Sequence, residues 1–129
     1  MPRRSPGWGM IRVSTAPRKR NSPRIAEKSA PAFLRWLRGR ECLAFSPICL
    51  GKIEAAHVDY AGGKGMGTKV ADRHAIPLCS AHHRLQHANG WPWFDIMTLR
   101  LAGAGEVAAA KYWRAWPGRI AWERKLADG

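Results

Sequence analysis

Acidic residues are scarce in this chain. Nine Asp and Glu stand against twenty-two Lys and Arg in 129 residues, a net charge of +13. Such a surplus disfavours basic partners and favours polyanions, DNA or RNA first among them. Cysteine is sparse as well, and its count of three is odd. An odd count without a secretory leader argues against a disulfide framework and points the thiols toward metal. Long apolar runs are missing: none approaches the roughly 20 residues that span a bilayer. Arg and Pro interrupt the N-terminal stretch throughout, so no signal-peptide core is present. The expectation is a soluble cytoplasmic protein with no membrane partner. Gly62-Gly-Lys-Gly-Met-Gly67 lacks the Lys-Ser/Thr ending of a phosphate-binding loop, and no βαβ unit surrounds it, which excludes that kind of nucleotide site.

The length suits one small domain with tails, a size at which a structural metal supplements a modest core. The positive charge is uneven. Residues 1–40 carry eleven Lys/Arg and one acid, Glu27, whereas residues 41–129 carry eleven against eight. Residues 1–28 hold four prolines, no apolar period and the run Arg18-Lys19-Arg20. They read as a disordered basic arm, either a nucleic-acid contact or a solubilising tail. The folded domain is expected over 29–129. A first helix runs from Ser29, the expected N-cap, with Phe33, Leu34 and Leu37 as its apolar stripe and Gly39 as its stop. Ile53–Tyr60 and His74–Leu78 read as strands, and Pro77 confines the second to an edge or strand end. A helix capped by Ser80 continues to His87 or Ala88, and Gly90 ends it. Two more helices are expected near Glu106–Trp116 and Pro117–Ala127, with Trp113, Trp116, Ile120, Trp122 and Leu126 packed inside. The class is α+β.

The densest chemistry lies in Cys79-Ser-Ala-His82-His83-Arg-Leu-Gln-His87. Cys79 and His82 are spaced to share one ion. With Cys42 and Cys49 they make a three-thiolate, one-imidazole set suited to tetrahedral structural Zn²⁺; the plain alternative is three buried free thiols. A two-Cys, two-His finger fails, because 33 residues separate Cys49 from His83. His83 and His87 are one helical turn apart and can share a second divalent ion. His57, on the preceding strand, is placed to face that ion and take a proton from water. A cation beside it would polarise a phosphodiester.

These residues resemble the HNH (ββα-metal) endonuclease family over about residues 42–90. The spacing His57-x16-His74-x8-His83-x3-His87 follows the family's His–Asn–His pattern. Gly65-Met-Gly-x-Lys69-x-x-Asp72 and Ile76-Pro-Leu-Cys79-x-x-His82-His83-x-x-x-His87-x-x-Gly90 are similar to phage recombination-enhancement (Ref-like) nucleases and related prophage proteins. The resemblance implies a zinc-stabilised ββα-metal core at 42–90, flanked by C-terminal helices within 106–127. It implies a nuclease acting on DNA in a bacterial or phage-infected cell, with a recombination protein filament as a further partner. It makes His57 the general base and His83 and His87 the ligands of a catalytic Mg²⁺ or Mn²⁺. Cys42, Cys49, Cys79 and His82 become the ligands of structural Zn²⁺. His74 stands at the family's central Asn, with Asp72 able to share that role. Arg84 is either a phosphate contact or a solvated charge. The chain departs from the pattern at Ala56, where many members place a metal-binding His or Asp; water, Asp59 or Asp72 are the substitutes. Two rivals follow from that gap: a non-catalytic zinc-stabilised nucleic-acid-binding module, and a recombination adaptor using its tryptophans.

Overall fold

The computed structural model describes residues 26–63 and 69–128. Arg18, Lys19, Arg20 and nearly all of the expected basic arm lie outside them. Helix α1 (Pro31–Leu37) opens on proline at its first position, where a missing N–H costs nothing. Its N-cap is Ala30, not Ser29, and the donor at that end is satisfied from a distance: the Ala30 N–H donates to Asp72 Oδ2 at 2.8 Å. Phe33 and Leu37 are fully buried. Burial of side chains this large contributes about 1.5–3 kcal/mol each.

Strands β1 (Ile53–His57) and β2 (Ala75–Cys79) form one antiparallel pair, with Ala55 opposite Pro77 and His57 opposite Ala75. β1 stops at His57, short of the expected Tyr60, because Val58 turns into the core and residues 59–60 form a turn. Pro77 sits in the middle of β2. Ladder bonds at Ser80 N–Lys52 O and Val58 N–His74 O fix the alternation so that Ala55–Pro77 is a non-hydrogen-bonded pair. The missing N–H therefore points away from β1. The Pro77 carbonyl accepts from Leu43 N at 2.9 Å, tying the Cys42–Cys49 loop to the outer edge.

The pleat divides the hairpin between two cores. Ala56, Val58, Ile76 and Leu78 pack with Cys79, Trp91, Phe94 and Ala109. Ala75 and, partly, Ala55 pack with Phe33, Leu37, Trp113 and Trp116. After the hairpin come α2 (Ser80–Asn89), α3 (Trp91–Met97), α4 (Ala104–Ala115) and α5 (Arg119–Asp128). α3 was not expected from the sequence: Gly90 ends α2 and at once starts the next helix, with proline in its first turn. In α5 the expected packing fails for Ile120 and Leu126, which are exposed. Trp122 holds that helix inward, edge-on to Trp113 at 5.1 Å and donating from Nε1 to Ser29 O at 3.1 Å. No helix among the described residues is long and apolar enough to cross a membrane.

Candidate metal centre and active site

Cys79 is both a ligand candidate and the N-cap of α2, taking the place expected of Ser80. Its Sγ accepts from the His82 N–H at 3.4 Å. The Ser80 hydroxyl instead donates to Glu54 Oε2 at 2.8 Å. The first turn of α2 then brings His82 Nδ1 to 3.2 Å from Cys79 Sγ, 3.5 Å from Cys42 Sγ and 3.6 Å from Cys49 Sγ. All four donor atoms lie within 4.8 Å of one another, and among the described residues they are the one such set. Tetrahedral zinc with Zn–S near 2.3 Å and Zn–N near 2.0 Å needs a sulfur–nitrogen separation of about 3.5 Å. The cluster is thus compatible with structural Zn²⁺.

His82 is buried, and its other nitrogen, Nε2, pairs with Ser46 Oγ at 3.3 Å, an outer partner that fixes the ring. Burial raises the Cys79 thiol, but the backbone N–H groups of His82 and Leu50 outweigh it and bring the thiol down to about 6. Burial pushes Cys42 up to about 11, so of these two thiols Cys79 is the readier to lose its proton.

The remaining histidines form two groups. At the end of β1, His57 Nε2 lies 2.9 Å from Asp72 Oδ1. A carboxylate only accepts, so Nε2 carries the proton and Nδ1 keeps its lone pair. The His57 side chain is 37 % exposed and that of Asp72 14 %, so the imidazole is partly open to solvent while its partner is not. Asp72 starts the turn Asp72–His74 and is anchored by Ala30 N, so α1 holds it in place. Its partners are His57 and Ala30, not Arg73 or Lys69. His74 lies against Gly62, where an added Cβ would approach Nε2 to 2.8 Å, and the positive φ of Gly62 independently requires glycine. Burial, then the Arg73 charge, hold His74 below the ordinary histidine value.

On α2, His83 Nδ1 lies 2.6 Å from Glu54 Oε1, so Nδ1 donates and Nε2 presents its lone pair. That lone pair is 3.2 Å from His87 Nε2. An ion about 2.1 Å from both nitrogens would subtend about 100°, an ordinary ligand angle. Glu54 is the residue that sequence reasoning missed. Strand alternation was the available signal: Glu54 and Ala56 share one parity and His57 the other. Ala56 is fully buried, so the position before His57 offers a packed methyl group and no ligand. Among the described residues no hydrogen bond links His57 with the His83–His87 pair. Asp59 joins neither group, and Arg84 is exposed on α2.

Comparison with known proteins gives one family match. No curated protein and no solved structure matches the chain. A family model described as "Protein of unknown function (DUF968)" matches residues 17–101, a span that holds every candidate ligand, His57, Asp72 and His74. Covering well over half of the chain, that match places this protein in the DUF968 family.

Proposed function

We propose that this chain is a metal-dependent DNA endonuclease or nickase of the HNH (ββα-metal) type. The observation that carries this reading is the pair of polarised imidazoles around one hairpin and helix. Asp72 leaves His57 Nδ1 free to accept, and Glu54 makes His83 Nε2 an acceptor, which His87 Nε2 faces. The order β1, β2, α2 supports the ββα-metal comparison, and the Cys₃His cluster supports a structural Zn²⁺ holding α2 to the Cys42–Cys49 loop.

In this reading His57 Nδ1 takes a proton from water as the oxygen attacks phosphorus. A P–O bond forms on one face and the P–O3′ bond breaks in line, giving a 5′ phosphate and a 3′ hydroxyl once the leaving oxygen is protonated. Asp72 balances the positive charge that His57 gains. A Mg²⁺ or Mn²⁺ ion bound by His83 and His87 would supply stabilisation of charge on the phosphate oxygens. Imidazole donors favour Mn²⁺ over Mg²⁺. The basic arm, with Arg18, Lys19 and Arg20, would add sequence-independent, salt-sensitive affinity.

Supercoiled plasmid incubated with the protein and Mn²⁺ or Mg²⁺ tests the reading. Nicking should occur, stop with chelator, and fall by at least about 100-fold in His57→Ala, the usual weight of a general base. Nicking undiminished in His57→Ala would remove His57 from its role. The buried methyl of Ala56 favours a second reading, a non-catalytic zinc-stabilised module that binds nucleic acid. Zinc-loaded protein that binds DNA yet nicks it with neither metal would establish that reading instead. An adaptor for a recombination filament would show weak DNA binding by the same chain.

A further inference from the structure

Beyond the two histidine groups, His74 also lines a cavity of about 340 Å³ between the Asp72–His74 turn and helices α4 and α5. Three arginines line this space, Arg73, Arg114 and Arg119, with two glutamates, Glu106 and Glu123. The carboxylates do not exhaust the donors. Glu106 Oε2 accepts from Gly62 N at 3.5 Å. Glu123 takes only Arg119 Nη1, at 3.0 Å. The Arg119 Nε–H is buried with no hydrogen-bond partner among the described residues. The Arg73 Cζ lies over the Trp113 ring, 5.4 Å from its centroid, and among the described residues its guanidinium makes no ion pair. Three arginines against two glutamates make a net-positive wall, which suits a ligand with several acceptor oxygens and negative charge. A tetrahedral phosphate has both.

We propose that this cavity is a phosphate subsite, and that it takes a phosphodiester of a nucleic-acid strand adjacent to the one attacked at His57. Its place relative to the base supports that choice. Arg73 and His74 directly follow Asp72, the partner of His57. The strand identity rests on the endonuclease reading; the phosphate chemistry rests on the cavity alone.

Two measurements on the full zinc-loaded chain test it. In the first, the Arg119 Nε–H resonance, assigned by its loss in Arg119→Lys, is followed while inorganic phosphate replaces chloride at constant ionic strength. A saturable shift is expected, and its absence overturns the subsite. In the second, binding of a labelled oligonucleotide is measured by anisotropy in a His57→Ala background over a range of salt. Arg114→Gln combined with Arg119→Gln should lower the slope of log K against log salt by about one, the signature of one lost phosphate contact. The exposed Arg73→Gln gives the same readout should the double variant fail to fold. A phosphate shift with an unchanged salt slope would make this a free-phosphate site and overturn the strand assignment. Nicking that persists in His57→Ala would overturn the endonuclease reading while leaving the Arg119 shift in place, so the two failures are separable.

Discussion

A single carboxylate decides which nitrogen each key histidine presents. Glu54 and His83 sit 2.6 Å apart, and the geometry makes His83 a donor on Nδ1. The same contact draws Glu54 below the ordinary glutamate range, chiefly through the His83 hydrogen bond. If His83 and His87 hold an ion, Glu54 is the outer carboxylate of a carboxylate–histidine–metal relay. Glu54→Gln should then weaken Mn²⁺ binding by about 10–100-fold, read by calorimetry on zinc-loaded protein. Zinc content should stay at one per chain, because Glu54 touches none of the Cys₃His donors. Unchanged Mn²⁺ affinity would show that the contact orients nothing. Asp72 works through the same logic at His57, with the added task of holding the end of α1 through Ala30.

Among the elements, the loop that carries Cys42 and Cys49 closes directly against the start of α2. Ser80 N and Ala81 N donate back to Lys52 O and Leu50 O, closing the loop against the start of the helix. Gly51 lies between those carbonyls at φ +90, and an added Cβ would meet Ser80 Cβ at 2.7 Å. Gly51→Ala thus combines backbone strain with a clash against fixed atoms, and should cost at least about 1–3 kcal/mol. Thermal unfolding of the zinc-loaded variant checks this; an unchanged midpoint would mean the loop relaxes freely. Nothing local to Gly51 in the sequence signals that Ser80 lies beneath it. For the same reason Ser80 was expected as the cap of α2, whereas Cys79 caps it and Ser80 is turned toward Glu54.

Taken as a whole, the molecule is a two-stranded hairpin clad on both faces. Two strands alone are marginal in water, and the helices on either side complete the burial. A buried polar bridge links the sides: Asp95 accepts from Tyr60 Oη at 2.5 Å and from Gly105 N at 2.9 Å, joining the end of the hairpin to α3 and α4. With so small a core, a Zn²⁺ ion at the Cys₃His cluster would supply folding free energy directly. Strong chelation should release one zinc per chain and cause cooperative loss of helical signal, restored by Zn²⁺. A chain that lost zinc and kept its unfolding midpoint would confine the metal to a minor role. Cys49→Ser should mimic chelation in part, since Cys49 is the least buried of the three thiols.

The sequence by itself determined the local items: the hairpin, the helix carrying His82, His83 and His87, and the ligand sets whose spacing is set within a few residues. Strand and helix periods are short-range properties, and a cysteine followed three residues later by histidine at a helix start converges whatever surrounds it. Only the tertiary structure decided the long-range partners. Asp72 reaches His57 across 15 residues, Glu54 reaches His83 across 29, and Ser29 accepts from Trp122 across 93. It also decided that Ile120 and Leu126 stay outside, that Gly90 opens a helix as well as closing one, and that arginines from a turn and two helices surround one cavity. Such contacts depend on which faces the packing buries, and chain order alone does not encode that.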